Sequence, residues 1–167
     1  MLIKYIKCQV KEERRVDFSR AQEQWSPLAD MEGFLGQLGG WSEKGEAVIL
    51  GFWESSQSYQ HFMEHIHDTI FLENNQGKTY RSISVTLYEG EHGKCGWLDR
   101  AASTDRLFLS ESGQGDVATF FNAKGEFLQV SFSEKKDASF IELEPTWKVM
   151  KKERMNVDNT KDRTAYS

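Results

Sequence analysis

The chain has 167 residues, of which 38% are hydrophobic, 28% charged and 13% aromatic, and its formal net charge is −5 at pH 7. This length suits one domain, or one domain with a sizeable extension. No apolar run approaches the roughly 18–20 residues of a membrane-spanning helix, and no basic stripe follows a helix or strand, so we expect neither a membrane nor a nucleic acid as partner. The N-terminal residues lack the pattern of a signal peptide, which favours a cytoplasmic protein.

The first predicted strand is Leu2 to Val10, which carries apolar residues on both alternating sides and is therefore expected to be covered on both faces. Cys8 lies within this pattern as a small buried residue. A helix is predicted next, with Asp17 as its N-cap and with Pro27 ending it near Ser26. Its apolar positions follow at helical spacing: Phe18, Ala21, Trp25 and Leu28.

Two further strands, Phe34 to Trp41 and Ala47 to Trp53, are predicted to pair through a hairpin turn at residues 42–46. A second helix is expected at about Gln57 to Phe71, capped by Ser55 or Ser56. Its apolar stripe consists of Tyr59, Phe62, Met63, Ile66 and Ile70.

The strand predicted at Tyr80 to Glu89 alternates apolar and hydroxyl side chains, which is typical of a half-buried strand. The resulting order β-α-β-β-α-β predicts an α+β fold of the ferredoxin-like kind. Two helices cover one face of such a four-stranded sheet, yet three of its strands look apolar on both faces. We therefore expect the other face to be covered by a second copy of the chain, in a two-fold homodimer.

Two segments carry a family resemblance: Gly-Phe-Leu-Gly-Gln-Leu-Gly-Gly-Trp at 33–41 and Val-Ile-Leu-Gly-Phe-Trp-Glu-Ser-Ser-Gln-Ser-Tyr-Gln-His-Phe-Met at 48–63. This pattern resembles the dimeric α+β barrel superfamily, and within it the antibiotic-biosynthesis-monooxygenase-like domains. The resemblance covers about residues 1–91. It implies a cavity between helices and sheet, but the superfamily includes oxygenases, haem-degrading enzymes, decarboxylases and binding proteins.

The remaining chain divides into a β-rich extension at 92–155 and a polar tail at 156–167. Short strands are predicted at Arg106 to Glu111, Val117 to Phe121, Phe127 to Phe132 and Phe140 to Leu143. Residues 122–125 between two of them have the composition of a hairpin turn, and residues 146–155 fit either a strand or a short helix. The extension is expected to lie on its own barrel or to reach a partner subunit. Cys95 carries no sign of activation.

His67 is the best single candidate for a catalytic residue. At about 100° per residue it lies at the border of the apolar stripe, where the resemblance places the rim of the cavity. Asp68 is predicted to point elsewhere and not to pair with it. The alternative is a boundary histidine bonded to the backbone.

Five aromatic residues are candidates for lining an apolar ligand pocket. Trp41, which follows two glycines at a strand end, is placed at its mouth, while ordinary core positions are the alternative, favoured for Trp53 and Phe62. The candidates are Trp25, Trp41, Trp53, Phe62 and Phe71.

No cofactor is predicted, although haem stays open. His61 and His65 have a spacing that can chelate a metal, but with Asp68 they are expected on the outer, solvated face. The haem-degrading branch uses an Asn in the first strand and a Trp where Phe62 stands, and this chain lacks both. Haem binding through His67 by another route is the remaining option.

Three hypotheses follow from the sequence. The first is a monooxygenase-like homodimer that binds a small, largely apolar ligand of aromatic, polyketide or quinone type, and that uses no cofactor. The second is a non-catalytic binding or structural module whose own aromatics fill the cavity. The third is haem or metal binding through the helix histidines.

Overall fold

The computed structural model describes residues 1–90, 96–111 and 117–152. The first half of the chain has the element order that the sequence predicts. Its strands and helices are β1 (Leu2–Val10), α1 (Arg15–Glu23), β2 (Phe34–Ser42), β3 (Ala47–Trp53), α2 (Ser56–His65), α3 (His67–Asn74) and β4 (Tyr80–Glu89).

The second half is β-rich, as predicted, and adds one short helix that the sequence analysis does not anticipate. Its elements are α4 (Trp97–Ala102), β5 (Arg106–Ser110), β6 (Ala118–Phe121), β7 (Phe127–Ser131), β8 (Ser139–Leu143) and β9 (Val149–Met150). The predicted hairpin turn is present, since the Asn122 side chain accepts hydrogen bonds from the backbone of Lys124 and Glu126. His92, Cys95 and the tail at 156–167 lie outside the described residues. None of the helices in the described ranges is long and apolar enough to span a membrane.

The strands of both halves form one antiparallel barrel. Its order is β3-β1-β4-β6-β7-β5-β8-β2, and the pairing of β2 with β3 closes it. The short strand β9 pairs with β2 at Gly36 and Gln37. The four strands of the first half are adjacent in the order β4-β1-β3-β2. The second half joins them at both edges, through β8 on β2 and through the Glu89–Phe121 pair between β4 and β6.

The interior of the barrel contains apolar side chains from both halves of the chain. Ile3, Leu50 and Phe52 from the first half form one buried cluster with Leu107, Leu128 and other residues of the second half. The sheet face that the homodimer prediction assigns to a second copy is therefore covered by the chain itself. The face is apolar, as the alternation predicts, but strands β5 to β8 of the same chain cover it and close an intrachain barrel.

The seam between β2 and β8 explains one glycine of the sequence. A Cβ at Gly40 would collide with the carbonyl of Glu142, so the two backbones approach closely only because Gly40 has no side chain. After β8 the chain passes to the sheet face that carries α1. There Trp147 is fully buried and donates a hydrogen bond from Nε1 to Ser19 Oγ at 2.8 Å. This crossing ties the second half to α1.

The three helices of the first half lie on the outer face of its sheet. Ser55 caps α2 as predicted, accepting a bond from the Ser58 backbone at 3.2 Å. The predicted single helix is broken at Ile66, whose backbone leaves helical geometry between α2 and α3. Asp17 is not the N-cap of α1, because a 3-10 turn runs directly into a helix that begins at Arg15.

Strand β4 differs from the expected half-buried strand. Its apolar residues Ile83, Val85 and Leu87 are 47%, 48% and 40% exposed. They face the same side as Cys8, Ile6 and Lys4 of the neighbouring β1, because these residues are register partners. The helices do not extend far enough across the sheet to cover them.

Candidate ligand cavity

A cavity of about 390 Å³ lies between the three helices and the outer face of the first-half sheet. Its walls are mainly aromatic and aliphatic, and Ile83 and Val85 of the exposed row border it. The lining contains no aspartate or glutamate within the described part of the chain. Its polar side chains are Lys4, Gln22, Gln37, Tyr59, His67, Gln76 and Tyr80. Such a site, apolar with a few placed polar groups, is typical of small-molecule pockets.

Five of the six site residues predicted from the sequence line this one cavity: Trp25, Trp53, Phe62, His67 and Phe71. Trp53 and Phe62 face each other with ring centroids 5.0 Å apart, and both are almost fully buried. These two residues therefore serve as core and as cavity wall at once.

Trp41, the sixth predicted residue, lies elsewhere. It is half-buried against Phe18 and Trp147, with centroid distances of 5.9 and 5.2 Å, and the Arg15 guanidinium lies 3.9 Å from its ring centroid. Trp41 is on the same sheet face as the cavity, but Phe18 and Trp147 occupy the space around it. The expectation of a pocket mouth at Trp41 is not what the structure shows, because the second half of the chain supplies Trp147.

His67 is enclosed by three aromatic rings. Its ring stacks on that of Phe71, with a centroid distance of 5.7 Å and an interplanar angle of 15°. The centroids of Trp25 and Phe62 lie 5.4 and 5.9 Å from that of His67. Burial lowers the pKa of His67 and nearby Lys4 lowers it further, while the hydrogen bond to Asp68 opposes this shift. The enclosure favours a neutral imidazole at pH 7.

Asp68 contacts His67, contrary to the expectation from ideal helix geometry. The distance from His67 Nδ1 to Asp68 Oδ1 is 3.1 Å. The reason is the break at Ile66, which makes His67 the first residue of a new helix. A carboxylate on Nδ1 favours the tautomer that carries a proton there, and this leaves Nε2 as an acceptor.

A chain of hydrogen bonds fixes one end of the cavity. Trp25 Nε1 donates to Gln76 Oε1 at 2.8 Å, and Gln76 Nε2 donates to Gln22 Oε1 at 2.7 Å. Gln22 and Gln76 are 2% and 5% exposed. Satisfied in this way, buried amides hold the Trp25 ring in one orientation.

Lys4 is a candidate that the sequence analysis does not select. Its Nζ lies 3.6 Å from Met63 Sδ and 5.5 Å from the ring centroid of Tyr59, and among the described residues no carboxylate pairs with it. Burial lowers the pKa of Lys4 to about 8. The sequence did contain a signal, because Lys4 interrupts the apolar alternation Leu2, Ile6, Cys8 on one strand face.

Gln37 and Gly51 adjoin Lys4 on the floor of the cavity. Gly51 is the register partner of Lys4 on one side and of Gln37 on the other, so the three residues form one row across β1, β3 and β2. Gln37 is 8% exposed, and its Nε2 donates no hydrogen bond within the described residues. A buried amide donor without an acceptor is costly and calls for an explanation.

The remaining candidates, Cys8, His61 and His65, show no reactive or metal-binding arrangement among the described residues. Cys8 lines the cavity, but burial raises the pKa of its thiol to about 12, so it is not a nucleophilic thiolate at neutral pH. His61 and His65 are exposed on α2, with ring centroids 4.5 Å apart. In the described ranges, no group of three or more His, Cys, Asp or Glu residues is arranged to hold a metal ion.

Residues 2–88 match the profile of a family described as a domain of unknown function, DUF4937. The chain belongs to the DUF4937 family. The matched segment contains β1 to α3 and nearly all of β4, and hence every cavity residue discussed above. The uncharacterized protein YdbC of Bacillus subtilis (strain 168) is 43% identical over 93 residues, which are 53% of this chain and 78% of YdbC.

Solved structures of other proteins resemble both the DUF4937 segment and the second half of this chain. A proposed monooxygenase from Lactobacillus acidophilus NCFM has a TM-score of 0.53 at 14% identity, covering 86% of this chain and 76% of its own. A second, from Fusobacterium nucleatum, has a TM-score of 0.55 at 7% identity, covering 87% and 77%. An anthrone oxidase-like protein has a TM-score of 0.50 at 11% identity, covering 87% and 75%. With such coverage the likeness includes both halves, so the chain has a monooxygenase-like fold.

Proposed function

We propose that this chain is a monooxygenase-like protein that binds a small, flat, largely apolar ligand in the cavity between its helices and sheet. The observation that carries the proposal is the convergence of Trp25, Trp53, Phe62, His67 and Phe71 on one cavity of about 390 Å³. Flat aromatic walls favour a polycyclic ligand of quinone or polyketide type. The neighbour described as anthrone oxidase-like supports this class, since an anthrone is a flat tricyclic ketone.

The chemistry we propose needs no cofactor. His67 Nε2 removes a proton from an activated CH₂ group of the ligand, and the resulting carbanion reduces O₂. The overall change is R₂CH₂ + O₂ → R₂C=O + H₂O, in which one oxygen atom enters the product and the other leaves as water. Asp68 holds the proton on Nδ1 and supports the imidazolium that forms, which is the usual arrangement for a histidine base.

Oxygen consumption with anthrone as substrate tests this proposal. The matched variants are His67→Ala and His65→Ala, because His65 is an exposed histidine of the neighbouring helix. We expect His67→Ala to reduce turnover by at least about a hundredfold, as is usual for loss of a general base, and His65→Ala to leave it unchanged. Equal turnover in both variants would remove His67 from the mechanism.

The two alternative functions give different results in the same preparation. A non-catalytic module binds the ligand without consuming oxygen, or shows no binding because its own aromatics fill the cavity. Haem binding gives a Soret shift on addition of hemin. The shift would be lost in His67→Ala if His67 were the ligand, and in His65→Ala if the outer histidines were.

A further inference from the structure

The floor of the cavity brings hydrogen-bond donors together around a glycine. Lys4 and Gln37 flank Gly51 on the two neighbouring strands. A Cβ on Gly51 would lie 3.8 Å from Lys4 Cβ and 3.8 Å from Trp53 Nε1, at ordinary contact distance. The surface of Gly51 is therefore open to the cavity and bordered by an amine, an amide and an indole N–H.

The electrostatics of this floor are one-sided. The described lining contributes an amine but no carboxylate, and Lys4 Nζ contacts the thioether of Met63 and the ring of Tyr59. Gln37 Nε2, on a side chain that is more than nine-tenths buried, also lacks an acceptor among the described residues. Buried cations and amide donors are normally paired, so both groups fit a ligand that supplies the acceptor.

We propose that Lys4, Gln37 and Trp53 form a hydrogen-bonding site for one oxygen atom of the ligand, the phenolate or enolate oxygen of an aromatic compound. This inference rests on the proposed function and adds the chemical class of the ligand. A phenolate or enolate delocalises its charge into the flat ring system that the walls of Trp25, Phe62 and Phe71 can contact. Its single charged oxygen also matches a site with one amine.

The test uses two flat probes of nearly the same shape, alizarin (1,2-dihydroxyanthraquinone) and 1,2-dimethoxyanthraquinone. Alizarin can ionise and its dimethyl ether cannot. Binding is followed by quenching of tryptophan fluorescence, since Trp25 and Trp53 line the cavity, and ionisation by the colour change of bound alizarin. The variant is Lys4→Met, with Lys7→Met as matched control, because Lys7 lies on the opposite face of β1 and pairs with Glu111 at 3.7 Å.

We expect the wild type to bind alizarin at least tenfold more tightly than the ether, and to lower the pH at which bound alizarin ionises. Lys4→Met is expected to remove both differences while keeping the affinity for the ether, and Lys7→Met to change neither. A second variant, Gly51→Val, should weaken both probes because it fills the floor.

Equal affinities for both probes, unaltered in Lys4→Met, would overturn the proposed site for the ligand oxygen but would not contradict ligand binding in the aromatic cavity. Failure of both probes to bind would overturn the proposed function and this inference with it.

Discussion

Lys4 Nζ lies 3.6 Å from the sulfur of Met63, in a cavity whose described lining offers it no carboxylate. Placing an amine there costs stability, because burial disfavours its charged form. Lys4 therefore combines an unfavourable contribution to folding with a position on the floor of the candidate site. Residues of this kind are frequent at functional sites.

Lys4→Met is expected to stabilise the protein at pH 7 by about 1–3 kcal/mol. The pKa of Lys4 is lowered to about 8 in the folded state from 10.5, so the unfolded chain binds more protons between these values and stability rises with pH across that window. The advantage of Lys4→Met should thus shrink from pH 8 to pH 10.5. Urea unfolding at pH 7 and pH 10.5 measures it, with Lys7→Met as control. An unchanged or lowered stability of Lys4→Met at pH 7 contradicts the assignment.

The pKa of His67 depends on two charged neighbours, Lys4 and Asp68. Burial and Lys4 lower this pKa, whereas Asp68 raises it. Asp68→Asn should therefore lower the pKa further and Lys4→Met should raise it, while the wild-type pKa lies below the ordinary value of a histidine. Proton NMR of the imidazole Hε1 signal of His67 measures its pKa in the wild type and in both variants. A fall of the pKa in Lys4→Met would show that the two groups do not interact as described.

Two glycines on adjacent strands should respond oppositely to the same substitution. Gly40→Ala places a methyl group against the Glu142 carbonyl and is expected to destabilise by about 2 kcal/mol or more. Gly51→Ala meets only atoms at ordinary contact distance and should be neutral, or stabilising by up to about 1 kcal/mol. Thermal unfolding compares the two variants. A tolerated Gly40→Ala would contradict the close approach of β2 and β8.

Self-association stays a prediction, with a different surface from the one first expected. Because strands β5 to β8 cover the helix-free sheet face, a second copy would meet the exposed residues Ile83, Val85 and Leu87 on β4. Sedimentation velocity should then show a dimer that Val85→Lys converts to a monomer, while Ser84→Lys on the other face of the same strand has a smaller effect. A wild-type monomer would contradict the homodimer prediction.

The sequence predicts local structure better than the contacts between distant segments. Strand-type composition and alternation predict the strands of both halves, but the pairing of β8 with β2 depends on residues about a hundred positions apart. Trp147 shows the consequence, because its arrival beside Trp41 fills the space where a pocket mouth was expected. Local sequence patterns do not predict a contact between two residues so far apart in the chain.

The cavity residues divide in the same way. The helical stripe points Phe62 to the cavity side, whereas the position of His67 also depends on the break at Ile66 that precedes it. The break at Ile66 is what brings Asp68 to His67, and an ideal helix of 3.6 residues per turn does not contain it. Lys4 could be found by asking which polar residue interrupts an apolar face. That no carboxylate among the described residues pairs with it depends on the packing of α2 over β1.

A crystal structure of the protein with alizarin tests the central claim most directly. We predict ring density in the cavity between Trp25, Phe62 and Phe71, with one ligand oxygen within hydrogen-bond distance of Lys4 Nζ. A cavity closed by its own side chains, with alizarin absent or bound elsewhere, would contradict the account.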